Sequence, residues 1–453
     1  IYLKKDYYYG TPQKLHNDLN TQLNEIDKEL NTCHQEIQEL LNGDASAILS
    51  AQAALNALST NFDVRKVAAC VQEHQETFYI LCGWMSEKDS SSFMKEIEND
   101  SKLFCVVEDD VVMFYMEDAE DVKDIQPPTK LKNPKIFKPF EMYIKMYGLP
   151  DYHELDPTIF VALTYSFIFG VMFGDVGQGL LLAIGGFALY KWKQVTLGAI
   201  IGTAGIFSTF FGFMFGSIFG FEHTIDALWL RPVEAMTLVP GLGQMNTIFV
   251  VAIAFGMFLI LVTMIFHIIN AVRTHDTEGI WFDQNSICGL IFYGTLTVSA
   301  LLFLTGKSLP AAIILIVMFA VPLVVIMLKE PITHIVEKKT PVIEGSKPMF
   351  FVQSFFELFE IMLSFLSNTL SFVRIGAFAV SHAAMMEVVL MLGGATQNSS
   401  PNWIIIVAGN IFVCLMEGLV VGIQVLRLEY YEMFSRFYKG SGREFKPYNQ
   451  KNV

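Results

Sequence analysis

The chain has 453 residues, of which 53% are hydrophobic and 17% charged, with a net charge of −14 and a mean hydropathy of +0.42. A soluble domain carries about a quarter charged residues, so this composition excludes a disordered chain and a secreted disulfide scaffold and points to a protein whose apolar residues need lipid. No region concentrates the positive charge that a nucleic-acid phosphate backbone requires, which argues against a nucleic-acid-binding surface.

The charge is uneven along the chain. Residues 1–150 hold 15 Lys and Arg against 25 Asp and Glu, a balance of −10, and residues 151–453 hold 16 against 20, a balance of −4. Cys33, Cys70, Cys82, Cys105, Cys288 and Cys414 are scattered with no CxxC spacing, so neither a zinc site nor a disulfide framework is expected and a reducing, cytoplasmic setting is. The sequence opens at Ile1 in an already polar, helical stretch, from which we expect a missing N-terminal segment.

Leu19, Leu23, Ile26, Leu30, Cys33, Ile37 and Leu40 recur at steps of four and three, a heptad seam that stops at Asn42-Gly43-Asp44. An Ala- and Leu-rich stretch at 45–62 predicts a second helix folding back, so that 14–72 forms a helical hairpin; an amphipathic helix on a globular core fits the same spacing. Residues 76–126 read as an α/β lobe, with strands at 77–85, 104–107 and 111–116 and a helix at 90–97. The acidic run 117–124 gives way to the Pro- and Lys-rich 127–139, so 127–150 reads as a linker. Residues 1–150 are thus expected to form an α+β arm, and 151–453 a membrane domain.

Apolar stretches of spanning length run at 158–174, 177–192, 195–221, 247–271, 286–306, 309–328, 351–392 and 402–437, which predicts a mostly α fold with an eight-span bundle. The last two are too long for one upright crossing and must tilt or project into water. With the N-terminal arm in the cytoplasm, the inner loops carry Lys191, Lys193, Arg273, Lys329, Lys338, Lys339 and Lys347, against Arg231 and Lys307 outside. Lys439, Arg443, Lys446 and Lys451 in the tail are also inside. This asymmetry sets the orientation and puts both termini in the cytoplasm.

Charges within the spans carry the functional argument. Arg374 lies midway along 355–392, and a central Arg costs at least ~2.5–3.5 kcal/mol even on lenient insertion scales. In a helix, Ser367 lies about 20° and about 10 Å from it, and Glu360 about 40° and about 21 Å. With Ser364, Asn368 and Ser371 they form a polar path up to Arg374 from the cytoplasmic end, and His382 and Glu387 lie beyond it. In the final span Glu417 precedes Arg427, with Gln424 between and Asn410 further outward. Polar groups on both sides of a fixed cation, without a continuous carboxylate chain past it, resemble two half-channels that block a straight leak. A structural reading, in which Glu side chains neutralise both arginines inside the bundle, stands beside it. His382 taken alone reads as a packed histidine, and Asp175 in the Gly-rich GVMFGDVGQG as a turn residue. No HExxH, GxSxG or Walker motif is present, so no covalent chemistry is expected of this chain.

These features resemble the membrane-embedded stator subunit of rotary V-type and A-type ATPases, called subunit a or subunit I. The resemblance rests on PPTKLKNPKIFKPFEMYIKMYGLPDYHELDPT (127–158), FGVMFGDVGQG (169–179), GFMFGSIFG (212–220), LSFVRIGAFAVSH (370–382) and NIFVCLMEGLVVGIQVLRLEYYEMFSRFYKGSGREFKPY (410–448). It implies that the family's essential Arg falls on Arg374, the His eight positions later on His382 and the Glu fourteen earlier on Glu360. The Arg of the LRL motif falls on Arg427, the Glu ten before it on Glu417, and a channel-lining Ser on Ser367. Asn368 and Glu429 stand where many relatives have His, so relay roles of those histidines do not carry over. The implied partners are lipid, the c ring (proteolipid or subunit K), peripheral-stalk subunits E and G, and the C/d component at the top of the central stalk. No cofactor is implied, and the transported species is H⁺ or Na⁺. The form of SFVRIGAFAVSH suggests a bacterial plasma membrane. The rival reading, a stand-alone secondary transporter, would predict internal repeats, and no convincing halves are visible.

Overall fold

The computed structural model describes residues 12–67, 69–73, 76–81, 83–98, 103–107, 127–221, 224–239, 243–306, 311–336, 347–395 and 401–446. The chain divides into two compact units, Ile1–Val112 with Lys446–Val453, and Met113–Phe445.

In the first unit α1 (Pro12–Val67) is one 56-residue helix, where a hairpin over 14–72 was expected. The Asn42-Gly43-Asp44 break is absorbed because one Gly costs a helix only ~1 kcal/mol, which a long cooperative helix tolerates. The heptad positions Leu23, Ile26, Leu30 and Ile37 are each more than half exposed, so the seam is not packed on a globular core within the described residues. A hairpin of β1 (Ala69–Glu73) and β2 (Glu76–Ile80) follows, pairing Ala69 with Ile80 and Glu73 with Glu76; β1 occupies residues expected to be helical. α2 (Glu87–Ile97) starts three residues earlier than expected because the Ser86 hydroxyl oxygen caps it, accepting from Asp89 N. Residues 103–107 are irregular, not a strand. The expected strand at 111–116 and the acidic run lie outside the described residues.

In the second unit the supposed linker 127–150 is part of the core. After a 3₁₀ turn (Lys138–Phe140) and α3 (Glu141–Tyr147), Phe140, Tyr143 and Ile144 are at most 3% exposed. Thr129 bridges to Glu444 and Leu149 to Gly442, and the Tyr438 hydroxyl donates to Gly148 O at 2.5 Å. Burial, reinforced by Glu154 and Asp156, pushes the Tyr438 phenol up, which keeps it a donor. The Pro and Lys content of this stretch is real; its aromatic residues decide where it goes.

α4 (Thr158–Met172) is apolar all round and mostly buried, as a helix with no polar face must be. α5 (Val176–Lys193) and α6 (Thr196–Phe215) form a tight pair. Their backbones approach so closely that a Cβ on Gly205 would collide with the Ala183 backbone nitrogen, and one on Gly186 with that of Gly202. A small hairpin, β3 (Met236–Val239) and β4 (Gly243–Asn246), leads into α7 (Thr247–Arg273), short α8 (Thr277–Trp281), and α9 (Ile287–Leu304). α10 (Ala312–Met327) and α11 (Lys329–Val336) are bent by 70°. α12 (Lys347–Ser371), α13 (Val373–Leu392) and α14 (Trp403–Arg427) follow, then a π-helical turn (Leu428–Phe434) and α15 (Ser435–Phe437). Among the described residues, five helices are long and apolar enough to cross a membrane, or six if the bent pair is one span. The core gathers Ile168 and Met172 of α4, Ile260 of α7, Phe372 at the α12–α13 break, Val421 of α14 and Phe434 of the π turn.

Candidate functional site

α12 and α13 together form a 45-residue path, Pro348–Leu392. Its backbone tightens at Phe372, where Phe372 N donates to Thr369 O at 3.4 Å and Ile375 N to Phe372 O at 3.0 Å. Phe372 is fully buried against Gly256, where a Cβ would collide with its ring. This wedge fixes the axial position of Arg374, two residues on.

The Arg374 side chain is 21% exposed. Its Nη2 donates to Ser371 Oγ at 3.2 Å, the Ser371 hydroxyl donates to Glu432 Oε1, and Arg374 Nη1 stands 3.9 Å from that same carboxylate oxygen. The serine can serve both because its oxygen accepts while its proton is given away, and it relays the charge attraction between Arg374 and Glu432. Nη1 makes no hydrogen bond among the described residues.

Glu432 comes from the π turn. Bonds from i to i+5 widen the helix there, and the turn buries Glu429 and Glu432, 0% and 5% exposed, directly after the exposed Arg427. Arg427 is near enough to interact electrostatically with both Arg374 and Glu432. Thr164 of α4 donates to Glu429 Oε1 at 2.6 Å. Arg436, buried four residues after Glu432, donates to Asn285 Oδ1 at 3.1 Å and lies 5.1 Å above the Phe365 ring, a desolvated cation–π contact.

On the other side of Arg374, α13 and α14 bring His382 and Glu417 together. His382 Nδ1 lies 2.7 Å from Glu417 Oε2, with side-chain exposures of 4% and 2%, and the imidazole lies 4.7 Å from the Phe173 ring. His382 also lines a cavity of about 10 Å³ with Ser217 and Pro232, room for about one water. Further along α14, Gln178 of α5 donates to Asn410 Oδ1 at 3.0 Å. Asp175 caps α5 by accepting from Gln178 N at 2.9 Å, and also accepts from the Ser217 hydroxyl at 2.8 Å and from Phe219 N and Gly220 N at 3.0 Å. It is the turn residue the sequence suggested, and it anchors the loop beside the His382 cavity.

Glu360, Ser364 and Ser367 are exposed on α12, Asn368 is half-buried and reaches Ser364 at 3.5 Å, Glu387 is exposed on α13, and Gln424 is half-buried on α14. None of these six is bonded to Arg374. The sequence reading missed Glu432 as the partner of Ser371 and Arg374, and missed the buried contacts of Thr164 with Glu429 and of Arg436 with Asn285. The signal present was the density of charge in LEYYEMFSRF, which resembles an ordinary span end. Among the described residues no three His, Cys, Asp or Glu side chains group so as to hold a metal ion.

A family model described as the V-type ATPase 116kDa subunit family matches residues 7–229. The chain is 28% identical over 394 residues to the A-type ATP synthase subunit I of Pyrococcus horikoshii, covering 83% of this chain and 54% of the relative. It is 29% identical over 364 residues to the protein of the same name from Aeropyrum pernix, covering 72% and 52%. With that of Methanocaldococcus jannaschii it shares 26% over 473 residues, covering 97% and 64%. The chain therefore spans about half the length of the first two of these relatives.

Proposed function

We propose that the chain, which matches the V-type ATPase 116kDa subunit family over residues 7–229, is a member of that family and the membrane stator of a rotary ATPase of V or A type, passing H⁺ or Na⁺ between a rotating ring of membrane subunits and the two sides of the membrane. ATP is handled by other subunits. The observation that carries this reading is Arg374: a cation inside a segment of spanning length, tethered on one side by Ser371 and Glu432, with Nη1 left without a hydrogen bond among the described residues.

A carboxylate on the passing ring pairs with Arg374, which favours its ionised, unloaded form, so the ion leaves before that site moves on. Arg427, exposed on the adjacent face, assists. The exposed stripe of Glu360, Ser364 and Ser367, with Asn368 beside it, forms the cytoplasmic half-channel. The His382–Glu417 pair, with Glu387 and Gln424, forms the exterior one. The cavity that joins His382 to Ser217 and Pro232 supports this assignment, because the loop charges put that loop outside.

The spans are then α4, α5, α6, α7, α9, α10 with α11, α12 with α13, and α14 through α15, eight in all, with both termini cytoplasmic. α4 is about 22 Å long, short of the ~30 Å hydrocarbon core, and most of its surface is buried within the bundle, with Ile159 and Leu163 exposed where lipid would meet it. The Pro348–Leu392 and Trp403–Phe437 paths, about 68 and 52 Å long, cross tilted or extend into water. The arm, residues 1–112, meets peripheral-stalk subunits E and G, and the C/d component of the central stalk lies above the ring. The cell membrane of a prokaryote is the expected location.

The test is Arg374→Ala in the assembled, vesicle-reconstituted complex. ATP-driven ion uptake is expected to vanish while the protein still inserts, and uptake at the normal rate sinks the assignment. Reconstitution of the chain alone separates the rival reading, since a secondary transporter moves its substrate without a ring.

A further inference from the structure

A cleft of about 770 Å³ opens where the 3₁₀ turn and α3 meet the α5–α6 turn, lined by Lys138, Lys145 and Lys191 together with Tyr190, Met142 and Met146. In a chain of net charge −14, three lysines lining one cleft are unusual. Two acids offset part of that charge: Glu141, also on the wall, accepts from Asn133 at 3.2 Å, and Lys145 pairs with Glu444 at 2.9 Å, about half exposed on both sides, so Lys138 and Lys191 are the lysines of the cleft that make no ion pair among the described residues.

The cleft has a defined level. Thr196, on its wall, is the first residue of a helix of spanning length, so the cleft lies where that helix meets water. Trp192 beside it is 86% exposed and Tyr190 43%, the pairing of aromatic rings and cations that marks a membrane interface. Below it, Leu180, Ile184 and Phe187, exposed by 52%, 62% and 40%, follow one face of α5 at helical spacing. That stripe ends at Lys191.

We propose that this cleft binds the phosphate headgroup of an anionic phospholipid, with an acyl chain along the Leu180–Ile184–Phe187 stripe. Lysine ammoniums bind phosphate as point charges, the methionines accommodate the glycerol region without a fixed shape, and the stripe supplies the apolar track that a soluble anion would not use. The site requires only that α6 cross the membrane and is independent of ion translocation at Arg374.

The test is native mass spectrometry of the purified complex after exchange with phosphatidylglycerol, with phosphatidylcholine, or with inorganic phosphate. Phosphatidylglycerol should stay bound in preference to phosphatidylcholine. Lys138→Gln with Lys191→Gln should lower its retention about thirtyfold, since each of the two cations near such a headgroup contributes on the order of 1 kcal/mol. Lys138→Arg with Lys191→Arg should keep it; both positions are exposed, so folding is not at risk. Equal retention of the two lipids, indifference to the glutamine pair, or displacement of phosphatidylglycerol by inorganic phosphate overturns the proposal. Ion transport is not read in this experiment, so failure here leaves the role of Arg374 standing, and the reverse.

Discussion

Ser371 is the hinge between two charges that the sequence places 58 residues apart. The chain Arg374 Nη2 to Ser371 to Glu432, with Nη1 at 3.9 Å from the same oxygen, aims the guanidinium and supplies a carboxylate that competes with any incoming one. Hydrogen bonds to charged groups contribute about 1.5–3 kcal/mol. Glu432→Gln, which keeps the size and removes the charge, is therefore expected to slow coupled ion uptake at least about tenfold with little loss of assembled complex. Unchanged uptake would remove Glu432 from the site. At this scale the legible residues are those that violate their surroundings. Arg374, His382 and Glu417 stand out because charge in an apolar run is anomalous, and the 2.7 Å approach of His382 to Glu417 joins two groups read only as lying on the same side of Arg374. Glu432 was not legible, because its inward aim depends on a π turn that the 3.6-residue period does not encode.

Among the elements, α5 and α6 were visible as short, Gly-interrupted runs, and the glycines are what let them pair. Gly205→Leu would push a side chain into the α5 backbone at Ala183 and should cost the assembly ~1–3 kcal/mol or more, the usual range for overpacking. Gly185→Ala, where no atom lies within 4 Å of the new Cβ, should be neutral or stabilising by up to ~1 kcal/mol. Thermal melting of the two variants in detergent checks the pair, and equal melting points would remove the close-approach argument. Two elements were misread for opposite reasons. The single helix α1 replaced a hairpin because Asn-Gly-Asp is a turn signal only when something rewards turning. Residues 127–150 joined the core because Phe140, Tyr143 and Ile144, buried beside Tyr165, outweigh the prolines and lysines around them.

For the molecule as a whole, span count and orientation are one question, which labelling from either side of the membrane tests. In a background free of native cysteines, a Cys at Leu228, 75% exposed, should be labelled by an impermeant maleimide from outside the cell. A Cys at exposed Lys439 should be labelled only after the membrane is opened. Labelling of both from the same side would contradict an orientation with this loop outside and the tail inside. The π turn also has a consequence for how such a sequence can change. Tyr430, Phe434 and Tyr438 are held in an aromatic ladder with Tyr147, with ring centroids 5.0–5.6 Å apart, and the turn's one extra residue per cycle is what lets Arg427 face outward while that ladder faces in. Removing a single residue would rotate everything downstream by about 100°, turning the ladder off Tyr147 and Glu432 off Ser371. Between Arg427 and Tyr438, a substitution changes the contacts of one side chain, whereas a deletion or insertion is felt by every later side chain at once: the fold of the segment is constrained in length more tightly than in composition.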